Sequence, residues 1–415
     1  MDKKFLVHRN KEYTYENFLN DLNLKNEYSS YLYVKNNNPY AIFVSLVHSA
    51  IYGYSIEIID GDLSEKEIEE IGIDQNEFSV VKKLNSLILF KDFEQLLDIL
   101  KEKKRSYITL YTSGTSGRPK KVSHTLETLT REVKVSGKFK ENIWSFSFNP
   151  THMAGLQVFF QAFLNKNTII YTFDELPKNI PTLIEKYKIT NISATSTFYR
   201  NILPYFQQGR YFSVERITFG GEKYDQGLEE SIKKVFPNAK INNIYASTEA
   251  GSLFKAYGDI FEIKESIRKF VKINENNELL IHYSLLGKSE SFNLKGEWFN
   301  TEDIVELVDT NHFKFVARKS ELINVGGYKV NPLEVENTIK KVPGVIDIII
   351  KTRKNSVTGQ IIIAEIIKND GFNDLELKKS IKKFALTHLQ EWKVPRIINF
   401  VNEISQTRTG KKARK

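Results

Sequence analysis

The chain contains no cysteine. That excludes disulfides, thiolate metal sites and a thiol nucleophile, and it fits a reducing, cytoplasmic setting. A long uninterrupted apolar run is also lacking. The longest apolar stretch, residues 40–59, is broken by Ser45, His48, Ser49, Gly53 and Glu57 and has no cationic flank. It reads as a buried helix leading into a strand, so no membrane span is expected. There is no nucleic-acid-binding module and no platform of aromatics interleaved with basic residues, so a nucleic-acid partner is not expected.

What is present is an ordinary globular composition: 415 residues, 41% hydrophobic and 27% charged, enough for two or three domains. The net charge of +9 is unevenly spread, because Lys and Arg number 18 against 10 Asp and Glu from Ser320 onward. A basic terminal region suits an anionic partner: a nucleotide, a phosphorylated cofactor, an acidic carrier protein or nucleic acid; the plainer reading of most of these charges is solvated surface.

One stretch organises the rest. Tyr107-Ile-Thr-Leu-Tyr-Thr112 alternates β-branched and aromatic residues as a strand does, and it breaks into Ser113-Gly114-Thr115-Ser116-Gly117-Arg118-Pro119-Lys120. Glycines let backbone N–H groups turn inward, hydroxyls add donors and Lys120 adds a point charge, which together suit phosphate. The spacing is not that of a P-loop NTPase, which requires G-x-x-x-x-G-K-[ST].

Around this stretch strands and helices alternate. Residues 30–34 and 55–60 read as strands flanking a helix over 40–54, closed by a turn at Asp60-Gly61. Strands are then expected at 143–148, 168–171, 191–194, 216–219 and 240–244, with helices at 152–164, 180–187, 197–207 and 226–235. This predicts a large α/β domain with mostly parallel sheets, whose ligands collect where loops leave the carboxyl ends of strands. Gly220-Gly221-Glu222 and Tyr245-Ala-Ser-Thr248-Glu249 sit at such ends. Paired glycines let a flat ring lie on backbone, Tyr245 can cover its other face, and Thr248 and Glu249 offer a hydroxyl for phosphate and a carboxylate for Mg²⁺. After Asn277 short strands follow; Asp303 is expected where two of them meet and Arg318 just after the next. From Ser320 the chain reads as a small α+β domain, which gives domains of residues 1–319 and 320–415.

In order and spacing, Thr112–Val122, Tyr245–Glu249, Asp303, Arg318, Gly326-Gly327 through Glu336 and Thr409-Gly410-Lys411 resemble the adenylate-forming superfamily of acyl-CoA synthetases, adenylation domains and luciferases. The resemblance implies a large domain completed by a small distorted barrel, a mobile C-terminal lid, and two reactions in one pocket. A carboxylate attacks the α-phosphate of ATP, and the acyl-adenylate is then attacked by the thiol of coenzyme A or of a carrier protein's phosphopantetheine. By the same resemblance Thr112 to Lys120 cradle the β- and γ-phosphates, Glu249 binds Mg²⁺, and Thr248 contacts the α-phosphate. Gly221, Glu222, Asn243 and Tyr245 hold adenine, Asp303 and Arg318 hold ribose, and Gly326-Gly327 border the pantetheine channel. Lys411 bridges the carboxylate and the α-phosphate during adenylation.

Two departures from the pattern stand out: Ser320 where relatives carry Asp or Lys at the hinge, and Lys121 where a glycine often follows Pro-Lys. Phe148-Asn-Pro150-Thr-His152-Met-Ala-Gly155 resembles the segment that lines the acyl pocket of acyl- and aryl-CoA ligases, with Phe146, Phe198 and Ala246 as further candidate walls. A structural role for His152 weighs equally. An Asp to hold an amino acid's ammonium group is missing, which disfavours amino acid substrates. The implied activity is an acid–thiol ligase, with o-succinylbenzoate–CoA ligase or a carrier-loading ligase as specific alternatives. A catalytically inactive nucleotide-binding relative is the non-enzyme alternative.

Overall fold

The computed structural model describes residues 3–24, 30–84, 88–102, 106–112, 120–207, 209–222, 224–325, 328–355, 359–407 and 411–414. The chain divides into two compact units, one of Met1–Val271, Ile281–Phe299 and Val308–Phe313, the other of Lys272–Leu280, Asn300–Leu307 and Lys314–Lys415.

The first unit opens with an antiparallel hairpin, β1 (Lys4–His8) and β2 (Lys11–Thr14), which the sequence pattern did not announce. Thr14 caps α1 (Tyr15–Asn23) in a reciprocal capping box with Asn17, satisfying two N–H groups that a helix start leaves orphaned. The expected βαβ unit is present as β3 (Tyr33–Asn36), α2 (Pro39–Tyr52) and β4 (Ile56–Asp60), with β3 and β4 parallel. Pro39 presets the first turn of α2, and Gly53 ends it at φ +70°. After α3 (Glu65–Glu70) and α4 (Phe93–Glu102), β5 (Tyr107–Thr112) runs parallel to β4 and pairs antiparallel with β6 (Lys120–Thr125). These four strands form one sheet in the order β3-β4-β5-β6.

The second sheet of this unit is built from β7 (Ile143–Phe146), α6 (Met153–Phe163) following the short α5 (Leu126–Thr130), β8 (Thr168–Tyr171), α7 (Ile180–Tyr187), β9 (Asn191–Ala194), α8 (Ser196–Ile202), β10 (Arg216–Gly220), α9 (Gln226–Val235), β11 (Lys240–Ser247), β12 (Gly251–Tyr257) and β13 (Ile260–Glu262). These strands and the opening hairpin follow one another in the order β13-β12-β11-β10-β9-β7-β8-β1-β2, as part of a longer sheet. The central pairs are parallel, as expected, and β11-β12-β13 are antiparallel. An aromatic core fills the space on α2 and α6, where Phe43 stacks on Phe159 at 4.3 Å, each ring contributing about 1.5–3 kcal/mol by its burial. Phe146 belongs to this core, against Phe43 and Tyr171, and is therefore not a wall of a substrate pocket.

In the second unit, strands Val345–Asn355, Gly359–Lys368 and Ile397–Phe400 carry helices Pro332–Ile339 and Asp374–His388 over an aliphatic core that includes Val335, Ile339, Ile348, Ile366 and Ile381. Among the described residues, no helix is long and apolar enough to cross a membrane.

Candidate active site

The hydroxyl-rich loop joins the adjacent ends of β5 and β6: Thr112 and Lys120 are register partners. Residues Ser113, Gly114, Thr115, Ser116 and Gly117 lie outside the described residues. Lys120 opens β6 rather than closing a loop. The unexpected Lys121 has a local explanation, since its ammonium and the Tyr111 hydroxyl both donate to the Glu57 carboxylate on β4. That ties the two strands flanking the loop to their neighbour.

Thr248 and Glu249 lie in the tight connection between β11 and β12. Strand β11 continues through Tyr245 to Ser247, past the expected end at residue 244, with a register shift between Tyr245 and Ala246. The expectation that these residues follow the strand therefore holds for Thr248 and Glu249 but not for Tyr245. The backbone of the turn is fastened from two sides. His124 Nε2 on β6 donates to the Thr248 carbonyl at 2.7 Å, and the Gly287 N–H donates to the Glu249 carbonyl at 2.8 Å. The Thr248 hydroxyl and the Glu249 carboxylate make no hydrogen bond or ion pair with any described residue. Half-buried oxygen groups left open in this way fit a hard cation and a phosphate oxygen. Burial lowers the His124 pKa to about 4, with its bond to Thr248 pulling the other way, so the ring is neutral at physiological pH.

His152 is the N-cap residue of α6 without capping it through its side chain. Its Nε2 instead donates to Asp60 Oδ2 at 3.1 Å, at the carboxyl end of β4. Asn149 Nδ2 donates to Asp60 at 3.0 Å, and so does the Thr151 hydroxyl. Burial alone would raise the Asp60 pKa, but the bonds from His152, Thr151 and Asn149 and the His152 charge hold it below the ordinary carboxylate value. Gly155 allows this loop to fold onto α6, because a Cβ there would lie 2.1 Å from the Asn149 carbonyl oxygen. Asp60 read as a turn residue in the sequence; its position at the end of a parallel strand was the available signal.

Gly221, at φ +78°, and Glu222 follow β10, whose Gly220 is in register with Ile244 of β11. The Glu222 carboxylate is engaged by α8, accepting from the Thr197 N–H at 2.7 Å and the Thr197 hydroxyl at 2.8 Å. Asn243 is buried and donates to the Gly258 carbonyl at 3.0 Å. Tyr245 packs against Phe254 and Phe261, with centroids 5.4 and 6.2 Å away. The ends of β10 and β11 thus bring Gly221, Glu222 and Tyr245 together, with the side chains of Glu222 and Asn243 bonded to protein.

In the second unit Asp303 lies inside the strand Trp298–Leu307, not where two strands meet, and Arg318 ends the strand His312–Arg318 instead of following it. Arg318 Nε and Nη2 donate to the two Asp303 oxygens at 2.8 and 3.3 Å. Lys411 is exposed on a terminal segment tied down on its far side. Lys412 donates to Asp347 at 2.6 Å, Arg414 grips Glu336, and backbone bonds join Thr407 to Lys411 and Ala413 to Ser405. Gly326 and Gly327, like Thr409 and Gly410, lie outside the described residues.

The chain matches the AMP-binding enzyme family over residues 53–274 and the AMP-binding enzyme C-terminal domain over residues 334–411. It is 25% identical over 362 residues to a 2-succinylbenzoate–CoA ligase of Listeria innocua, covering 80% of this chain and 75% of that one. A 2-succinylbenzoate–CoA ligase of Staphylococcus epidermidis is 27% identical over 332 residues, covering 74% and 68%. Among solved structures, the o-succinylbenzoate CoA synthetase of Bacillus subtilis in complex with the acyl-adenylate intermediate has the same fold, with TM-score 0.69 and 18% identity over 100% of this chain and 94% of that one. An anthranilate CoA ligase in complex with anthranoyl-AMP has TM-score 0.72 and 18% identity, covering 99% and 92%. The chain belongs to the AMP-binding enzyme family, the adenylate-forming superfamily.

Proposed function

We propose that the chain is an AMP-forming acid–thiol ligase that activates a carboxylic acid with ATP and passes the acyl group to coenzyme A. The observation that carries this reading is the Thr248–Glu249 turn, whose backbone is fastened to the strand leaving the phosphate loop while its hydroxyl and carboxylate stay open. A carboxylate oxygen of the acid attacks the α-phosphorus of ATP, and the bond to the β-phosphate oxygen breaks with pyrophosphate leaving. The thiol sulfur then attacks the acyl carbon and AMP leaves. Both steps bring anionic groups together, so the protein's task is orientation and charge stabilisation.

In this reading Thr112, the loop after it and Lys120 hold the β- and γ-phosphates, Thr248 meets the α-phosphate, and Glu249 holds Mg²⁺. Bound with the nucleotide, Mg²⁺ neutralises phosphate charge. Gly221 and Tyr245 enclose the adenine, with Glu222 and Asn243 bracing the walls through their bonds to Thr197 and Gly258. Asp303 takes the ribose hydroxyls and Arg318 orients that carboxylate. Lys411 supplies the cation for adenylation, and Gly326-Gly327 line the thiol's path. His152, held by Asp60, borders the acid. The lid begins at Ser320, in the short helical turn Lys319–Glu321.

The acid best supported is o-succinylbenzoate, because relatives of that name span about three quarters of this chain. The basic C-terminal region favours an acidic carrier protein as the second acceptor to test. Acid-dependent ATP–pyrophosphate exchange over a panel headed by o-succinylbenzoate, followed by thioester formation with coenzyme A or a phosphopantetheinylated carrier, tests the proposal. Exchange with no acid in the panel would refute the ligase reading, and thioester with the carrier alone would refute coenzyme A as acceptor.

A further inference from the structure

His124 is an expensive residue for its place. Of the six residues of β6 only Val122 and His124 are buried, so by volume alone an aliphatic side chain would serve in the histidine's slot. Its Nε2 faces a carbonyl and therefore carries the proton, which leaves Nδ1 as a lone-pair acceptor that is buried and has no partner among the described residues. An orphaned buried acceptor is a standing cost, and one that calls for an explanation.

The surroundings supply it. The ring lies on Gly287, where a Cβ would sit 2.5 Å from the ring's Cε1, so this position excludes any side chain while the ring is in place. The N–H of the same glycine takes the Glu249 carbonyl, and the next residue, Lys288, exchanges two backbone hydrogen bonds of 2.8 Å with Ser123. Two paired segments, Ser123-His124 and Gly287-Lys288, thus take the carbonyls of two successive residues, Thr248 and Glu249. The side chains of those two residues bond to no described residue.

We propose that His124 is a positioning residue for the nucleotide–metal half of the reaction, acting with Gly287 as a clamp that fixes the backbone from which Thr248 and Glu249 present their oxygens. The inference rests on the ligase reading for what those oxygens meet. His124 touches only the turn's backbone; its effect is to remove the turn's freedom before the nucleotide arrives, which lowers the ordering cost of binding.

The test compares His124→Leu, which fills the space without a donor, with His124→Gln, whose amide N–H can reach as Nε2–H does. Titration of Mg–ATP in the absence of acid reads binding alone, and exchange kinetics read the KM of each substrate. His124→Leu is expected to weaken Mg–ATP binding about tenfold, the loss of one tie in a desolvated site, and to raise the Mg²⁺ requirement while leaving the acid's KM unchanged. His124→Gln is expected to recover most of that loss, and Gly287→Ala, which displaces the ring, to move in the same direction as His124→Leu. Unchanged Mg–ATP binding in His124→Leu, or in Gly287→Ala should the leucine variant not fold, would overturn the inference. So would equal impairment by Leu and Gln, or a loss shared equally between acid and nucleotide. Wild-type protein that binds Mg–ATP but exchanges with no acid would sink the ligase reading instead, leaving the clamp to be judged on the titration.

Discussion

The Asp60 carboxylate is the most informative group to perturb, because it collects three donors from one loop: Asn149, Thr151 and His152. In Asp60→Asn the side chain keeps its shape but retains one acceptor oxygen, and its new NH₂ faces at least one of those donors. Hydrogen bonds to a charged group are worth about 1.5–3 kcal/mol each and are not additive within a network. Because Asp60 and His152 are largely buried, solvent screens this cluster little. The expected loss is about 2–4 kcal/mol, in the range for breaking a buried charged network, read as a drop in urea midpoint at pH 7. The pH dependence carries a sign. Burial pushes the Asp60 pKa up, but the three donors and the His152 charge bring it below the ordinary value. The carboxylate's stabilising contribution is therefore complete above about pH 4 and is lost as pH falls through the lowered folded value. The gap between wild type and Asp60→Asn should narrow on going from pH 5 toward pH 2. In exchange assays the variant should raise the KM for the acid more than that for Mg–ATP, because the loop carrying His152 is released. A midpoint change worth less than about 0.5 kcal/mol, the size of an ordinary surface substitution, or a gap that widens in acid, would refute the reasoning.

The Tyr54 hydroxyl accepts the Ser30 N–H at 2.9 Å and is hydrogen-bonded to His48 Nδ1 at 2.8 Å, and burial lowers the His48 pKa to about 4. The unfolded chain takes up a proton near pH 6.5 that the folded one refuses, so stability should fall between pH 6.5 and 4 by on the order of 3 kcal/mol for this residue; His48→Gln should reduce that slope in denaturant titrations, and an unchanged slope would exclude the residue. Lys411→Ala should cut adenylation by about 100-fold or more, the scale of a lost transition-state contact, while thioester formation from supplied acyl-adenylate persists; loss of both half-reactions together would contradict its assignment. Asp303→Ala should weaken ATP binding about tenfold, the worth of one charged hydrogen bond, and unchanged affinity in a nucleotide titration would remove it from the ribose.

The parallel α/β alternation was legible because its central strands are short apolar runs bounded by helical periods: Thr168–Tyr171, Ile180–Tyr187, Asn191–Ala194 and Gln226–Val235 fall where the pattern places them. Strands β1, β2, β6, β12 and β13 were not legible. In β6 the two buried positions are Val122 and His124, so the alternation that marks a half-buried strand is spelled with a polar residue and hides. In β12 the strand restarts two residues after a Thr-Glu pair that reads locally as a helix start. Single site residues were legible through the order of their motifs, but their supports were not. The contacts of Asp60 with His152 and of His124 with Thr248 join positions 92 and 124 residues apart, and no local pattern encodes such a pairing.

How far each side chain is committed within the fold separates the residues that should affect stability from those that should affect only chemistry. Glu222 is bonded to α8 and Asp303 to Arg318, so removing either carboxylate releases protein donors and costs stability whatever else it does. Glu249 is different: its carbonyl holds the turn and its carboxylate holds no described residue. Glu249→Gln leaves the carbonyl and the side-chain volume in place and removes only the charge. Its unfolding midpoint should stay within about 0.5 kcal/mol of wild type, as for substitutions that break no contact. The Mg²⁺ needed for half-maximal exchange should rise about tenfold or more, since a hard cation loses an anionic oxygen ligand. If instead the variant is destabilised by about 2 kcal/mol, the cost of orphaning a buried partner, with its metal requirement unchanged, then the carboxylate is a structural group and the metal must be held elsewhere.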